Sequence, residues 1–153
     1  MDAARQLEIL GFFRGVGASL IDGMDEAQLL AVPDGLSNNI LWNLGHILYY
    51  ESVFLHAQSG VPGPAPESYG DLFKAGTSPA DWDAAPDAGE VVERYKTQLD
   101  RTISDFEAGK FAGFKPMNIR DRITLGTIEE ALAFHCYHEG VHLGRIGTLK
   151  HLV

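Results

Sequence analysis

The feature that most limits how this chain can fold is the recurrence of apolar residues every three or four positions in four separate segments. This spacing places the apolar side chains on one side of an α-helix. The first segment covers residues 2 to 23, and its apolar positions are Leu7, Leu10, Phe13, Val16 and Leu20. The pattern predicts amphipathic helices that pack around a common core.

A second helix and a long connection follow the first segment. Ser37 or Asn38 can cap this helix, which is expected to run to about Ser59 because Gly60 would end it. Residues 60 to 86 contain several glycines and a density of proline that excludes a long helix or an interior strand: Pro62, Pro64, Pro66, Pro79 and Pro86. We therefore expect a long loop between the second and third helices.

Capping pairs predict the last two helices. Asp87 with Glu90 begins a third helix, which is expected to end near Gly109. Thr127 and Glu130 form a capping box that opens the fourth. No segment alternates between apolar and polar residues with a period of two. The sequence therefore predicts an all-α four-helix bundle with one long connection between helices 2 and 3.

Length, charge and cysteine usage limit the class of protein. With 153 residues, 45% of them hydrophobic, residues 1 to 153 are expected to form a single domain. The net charge of −9 disfavours nucleic acid, and no run of about 18 apolar residues suits a membrane, so we expect a small-molecule substrate. The only cysteine, Cys136, leaves histidine and carboxylate as the plausible metal ligands. A start without signal-peptide features adds to the expectation of a reducing cytoplasm.

Histidines interrupt two of the apolar faces. On the fourth helix, which is expected to reach about Leu149, His138 and His142 share the face that carries Ile128, Ala131 and Ile146. His46 lies in the same way on the second helix, beside Trp42 and Val53. Burying an unsatisfied imidazole costs roughly 1 to 3 kcal/mol, and a shared divalent metal would remove that cost. For His46 alone, a core histidine satisfied by the protein remains an alternative.

The other histidines are not assigned as metal ligands. His135 shares the face of the pair but lies one to two turns away, so we expect it to line the site or to hydrogen-bond a ligand. His56 and His151 lie near helix ends and are expected to be solvated. Neither of these two is assigned any chemistry.

Two segments carry a resemblance to a known family. Residues 38 to 46 read NNILWNLGH and residues 138 to 146 read HEGVHLGRI, and both are similar to the signature segments of the DinB/YfiT-like superfamily. The resemblance implies an up-down-down-up four-helix bundle, usually dimeric. It also implies one metal ion bound by three histidines that match His46, His138 and His142, and we expect a divalent ion, zinc or nickel.

The resemblance also bears on function and on the surroundings of the metal. The superfamily includes transferases and isomerases that use a low-molecular-weight thiol as cosubstrate. Many members have glutamine where this sequence has Arg145. We expect four residues around the metal, namely Asn39, Trp42, His135 and Arg145.

Residues 138 to 142 also match the H-E-x-x-H motif of zinc peptidases, in which the glutamate is a general base. A metzincin needs a further histidine where this chain has Thr148, and only eleven residues follow His142 in place of a distant acidic ligand. The third ligand must therefore come from upstream, which fits His46. Glu139 remains a candidate base or hydrogen-bond acceptor, with a solvated glutamate as the alternative.

These patterns lead to two function hypotheses. The first is a metal-dependent enzyme of the thiol-dependent transferase kind, in which an open coordination position activates the thiol and Glu139 or His135 takes part. The second is a non-catalytic metal-binding dimeric bundle, and a metal-dependent hydrolase is less favoured. A filled fourth coordination position would favour the non-catalytic protein.

Three glycines predict a homodimer. Gly140, Gly144 and Gly147 share the face of the fourth helix opposite the histidines. Each costs roughly 1 kcal/mol relative to alanine, which indicates the close approach of another helix. That helix belongs either to the same bundle or, as we expect, to a second copy of the chain.

Overall fold

The computed structural model describes residues 2 to 153, and it confirms an all-α fold. The α-helices are α1 (Ala3–Ile21), α2 (Glu26–Leu30), α3 (Ile40–Glu51), α4 (Tyr69–Phe73), α5 (Ala88–Glu107) and α6 (Ile128–Lys150). The long helices pack in a ring in which α1 contacts α6, α6 contacts α3, α3 contacts α5 and α5 contacts α1. None of the helices in residues 2 to 153 is long and apolar enough to cross a membrane.

The helix ends follow the predicted caps with two corrections. The side chains of Asp87 and Thr127 accept hydrogen bonds from the backbone three residues later, as expected. The cap of α3 is Asn39, whose Oδ1 accepts from Trp42 N at 2.7 Å, and not Ser37 or Asn38. The capping box of α6 is only half formed, because the Glu130 carboxylate accepts from Gly126 N.

A π-helical turn extends α3 and was not predicted. The turn covers Ser52–His56 and is followed by a 3-10 turn, Ala57–Ser59, which ends at Gly60 as expected. Such a turn rotates the residues after it relative to a regular 3.6-residue spacing. Ala57, placed on the core face by regular spacing, is exposed as a result, and His56 is fully buried.

The predicted loop over residues 60 to 86 contains two short pieces of structure. These are α4 and a 3-10 turn, Pro79–Asp81, and neither is a long helix. Helix α4 packs so closely on α3 that a Cβ added to Gly45 would come within 2.6 Å of the Phe73 ring. Glycine at position 45 therefore permits the close approach that brings the backbone of Phe73 to α3.

The expectation that no strand would form was wrong. Strands β1 (Met117–Ile119) and β2 (Ile123–Leu125) form an antiparallel hairpin in which Ile119 faces Ile123. Arg120 and Asp121 both have positive φ angles at its turn, without the glycine or asparagine that usually marks such a turn. Apolar and polar residues alternate over only three positions in each strand, which is too short for the pattern to be recognised.

Candidate metal centre

Three histidines converge between α3 and α6. His46 comes from α3, His138 and His142 come from successive turns of α6, and one ligand nitrogen from each lies within 4.8 Å of the others. The structure therefore brings together the three residues that the sequence predicted as ligands. We call these three residues the histidine cluster. A group of this composition and spacing could hold a metal ion.

Hydrogen bonds to oxygen atoms orient two of the three imidazoles. His46 Nδ1 lies 2.6 Å from the backbone oxygen of Phe73, and His142 Nδ1 lies 2.7 Å from Oδ1 of Asn43. Both oxygens are acceptors, so each Nδ1 carries the proton and each Nε2 keeps its lone pair. A metal-binding histidine commonly donates its second nitrogen to an oxygen in this way. His138 differs, because its buried Nδ1 has no hydrogen-bond partner in residues 2 to 153.

Aromatic rings enclose the histidine cluster. Trp42 stacks on His46 with 4.5 Å between ring centroids. Tyr50 lies 4.6 Å from His46 and 5.4 Å from His138, and Phe54 contacts His138 at 5.5 Å. Trp42 belongs to one apolar cluster of the core and Phe54 to the other, so the histidines lie where the two clusters meet.

Burial keeps the three imidazoles neutral. It lowers the pKa of His46 to about 4, that of His138 to about 2 and that of His142 to about 3. The positive charge of Arg145 contributes to the lowering of all three pKa values. Neutral nitrogens with free lone pairs are what zinc and nickel require of imidazole ligands, so these residues fit a divalent ion.

A second group of buried polar side chains lies beside the histidine cluster. Arg14 of α1 donates through Nε to Glu139 at 2.8 Å and through Nη2 to Glu51 at 2.7 Å. Tyr95 OH donates to Glu139 at 2.9 Å, and Thr102 Oγ1 donates to Glu51 at 2.5 Å. We call these five residues the Arg14 network. Only Glu139 was singled out from the sequence, as a candidate base or hydrogen-bond acceptor, and its partners were not predicted because they lie up to 125 positions away.

The two candidate catalytic residues take part in or adjoin this network. Glu139 is fully buried with its carboxylate bonded to Arg14 and Tyr95, so the alternative of a solvated glutamate was wrong. His135 is also fully buried, and its Nε2 lies 3.9 Å from carboxylate oxygens of both Glu51 and Glu139. Neither residue belongs to the group of side chains whose ligand atoms converge.

The residues expected around the metal divide into two groups. Trp42 and His135 lie beside rings of the histidine cluster, and Arg145 acts on it through its charge. Asn39 instead caps α3 and donates through Nδ2 to Leu30 O. Asn43 was missed, although a polar residue one turn before His46 in a helix of almost continuous apolar character was a usable signal. Phe73 acts through its backbone, which no side-chain pattern reveals.

The remaining histidines and the cysteine lie outside the cluster. His151 is exposed, as predicted. His56 is fully buried, which corrects the expectation of a solvated residue, and its Nε2 lies 3.3 Å from Oδ2 of Asp105. The π turn that carries His56 accounts for this difference. Burial raises the pKa of the Cys136 thiol to about 11, so this residue is a poor nucleophile.

Comparison with known protein families identifies the relationship that the histidine segments suggested. The family model of the DinB superfamily matches residues 14 to 146, which include all of the histidine cluster. The chain belongs to the DinB superfamily. A search among curated proteins finds no match to the chain. Membership in the DinB superfamily agrees with the helical fold and with a cluster of three histidines, and it names no reaction.

Proposed function

We propose that the histidine cluster binds one divalent ion, zinc or nickel, and that the protein is an enzyme that transfers a low-molecular-weight thiol to an electrophile. The observation that carries this proposal is the convergence of three neutral imidazoles, two of them oriented by oxygen acceptors. Such an ion, when bound, supplies Lewis acidity that favours the thiolate form of a coordinated thiol.

The position of Glu139 favours catalysis over a purely structural metal. A structural zinc site has four protein ligands, whereas a catalytic site keeps one position for water or substrate. In residues 2 to 153 the converging group contains only the three histidines. The carboxylate of Glu139 is committed to Arg14 and Tyr95, so it is not free to act as a fourth ligand. The same contacts argue against Glu139 as the general base of a peptidase.

The surrounding side chains give the site its other properties. Trp42, Tyr50 and Phe54 provide an apolar wall that limits water around the reacting atoms. Asn43 and Phe73 hold the tautomers of His142 and His46. We also propose a cytoplasmic location, where a reducing environment would keep small thiols available.

The test is thiol consumption by the zinc- or nickel-loaded protein. Cysteine, glutathione and coenzyme A are each incubated with 1-chloro-2,4-dinitrobenzene. Sulfur forms a bond to the ring carbon, chloride leaves with the electron pair of the broken bond, and the thiol proton passes to solvent. We expect at least one thiol to be consumed faster than with the His138→Ala protein, and a chelator to abolish the difference. If the wild type and the His138→Ala protein consume each of the three thiols at the same rate, the result would instead support a non-catalytic metal-binding protein.

We also propose that two copies of the chain associate through the outer face of α6. A Cβ added to Gly140 or Gly147 would meet nothing within 4 Å, so neither glycine serves contact with another helix of this chain. Tyr137 is 66% exposed on the same helix. Light scattering is expected to give the mass of a dimer for the wild type and of a monomer for Tyr137→Glu. A monomeric wild type at high concentration would contradict the proposal.

A further inference from the structure

A groove of about 490 Å³ opens beside the histidine cluster, between the segment before α3 and the second half of α6. Its lining includes Ser37, Asn38, Asn43, Gly144, Arg145 and Thr148. Asn43 accepts the hydrogen bond from His142, so one side chain forms both the wall of the groove and a support of the cluster. The volume lies in the range of about 300 to 1,000 Å³ that is usual for small-molecule sites.

Arg145 places a positive charge in this groove. The side chain is exposed, and within residues 2 to 153 it forms no salt bridge, whereas Arg14, Arg94 and Arg101 each pair with an acidic residue. A guanidinium presents a planar set of donors that matches carboxylate and phosphate oxygens.

Two further observations indicate space and polarity for a ligand. A Cβ added to Gly144 would meet nothing within 4 Å, so glycine leaves the floor of the groove open. Oδ1 of Asn38 is buried and has no hydrogen-bond partner in residues 2 to 153. A buried acceptor without a donor costs roughly 1 to 3 kcal/mol, which a ligand donor would offset.

We propose that this groove binds the substrate of the metal centre, and that Arg145 selects a substrate that carries a carboxylate or another small oxyanion. The claim that the bound molecule is a substrate rests on the proposed function, whereas the selection of an anion rests on the groove alone. A hydroxyl or amide group near the oxyanion would donate to Asn38. The sequence position at which many family members have glutamine is thus the position that determines charge selectivity here.

The test measures binding to the protein without metal and to the zinc-loaded protein. Propionate, inorganic phosphate and uncharged 1-propanol are titrated while the fluorescence of Trp42 is followed in the Trp82→Phe background. We expect propionate or phosphate to bind at least tenfold more tightly than 1-propanol in both forms, and the tighter of the two identifies the oxyanion. Arg145→Gln should remove this preference, and Arg145→Lys should retain part of it.

A matched pair of glycine variants locates the binding. Gly144→Leu is expected to fill the groove and weaken anion binding at least tenfold, whereas Gly15→Leu, on α1 and outside the groove, should leave it unchanged. Equal binding of propionate, phosphate and 1-propanol, or an anion preference that survives Arg145→Gln, would overturn the inference. Anion selectivity in a protein that consumes no thiol would support the groove and contradict only the proposed transferase activity.

Discussion

The histidine cluster and the Arg14 network lie side by side in the core, and they differ in how their polar atoms are satisfied. In the network, both oxygens of Glu51 and both oxygens of Glu139 accept hydrogen bonds from side chains of the same chain. In the cluster, one ligand nitrogen from each of three neutral imidazoles lies within 4.8 Å of the others, and Nδ1 of His138 has no hydrogen-bond partner within residues 2 to 153. The comparison shows that the carboxylates of the network are satisfied within the chain, and it supports the proposal that a cation completes the cluster.

The largest effect is expected from breaking the network. Arg14→Met would leave two buried carboxylates without their cation, and removal of one partner from a buried ion pair typically costs about 3 to 5 kcal/mol. We expect a loss of this size in the free energy of urea unfolding. A triple variant that adds Glu51→Gln and Glu139→Gln should recover part of it, since the uncompensated charges are gone. A loss below about 1 kcal/mol for Arg14→Met would contradict the assignment of a complete ionic network.

Lowering the pH should reduce the stability contributed by the two regions in different pH ranges, because the pKa shifts of their groups differ. The folded-state pKa values of His46, His138 and His142 are lowered, so they stabilise the fold above about pH 6.5 and lose that contribution as pH falls. Burial opposes ionisation of Glu51, but the charge of Arg14 and hydrogen bonds outweigh it and lower its pKa. Its contribution is lost only below about pH 4.5.

For the metal-free protein, the free energy of unfolding should fall by about 1.4 kcal/mol for each of these histidines between pH 7.5 and pH 5.5. Urea titration at the two pH values measures this difference. The His138→Ala/His142→Ala protein should lose less over the same interval, because two of the shifted groups are gone. An identical loss in the double variant would show that the cluster does not control stability in this range.

Much of the fold was predictable because its signals are local. The apolar spacing and the capping pairs of Asp87 and Thr127 each depend on residues within a few positions. His46, His138 and His142 were predictable as a group because each interrupts an apolar face. The π turn at Ser52–His56 and the short hairpin were missed, since neither follows a repeating pattern of sufficient length.

The contacts that complete the site were less accessible to sequence reasoning because they are long-range. Asn43 meets His142 across 99 positions, and Phe73 meets His46 through its backbone. Arg14 appears in the sequence as a charged residue among apolar ones, which gives no indication of its partners. Only the packing of α1, α3, α5 and α6 around a common core brings them together.

A smaller effect is expected from removing the hydrogen bond that Asn43 accepts from His142 of the cluster. Asn43→Ala removes the acceptor that fixes the tautomer of His142, and loss of such a partner typically weakens metal affinity about 10- to 100-fold. Asn43→Asp keeps an oxygen acceptor and should bind metal far more tightly than Asn43→Ala. Competition with a chromophoric chelator gives the affinities. Equal affinity of wild type and Asn43→Ala would mean that the hydrogen bond does not orient a ligand.

The most direct test of the account is the metal content of the purified protein, measured by elemental analysis after loading with zinc or nickel and gel filtration. We expect close to one ion per chain in the wild type and in the His151→Ala control, whose side chain is exposed and outside the cluster. We expect almost none in His46→Ala or in His138→Ala/His142→Ala, with helicity retained. Full metal occupancy in the double variant, or a wild-type protein that binds no ion, would contradict the claim that a cation completes the histidine cluster.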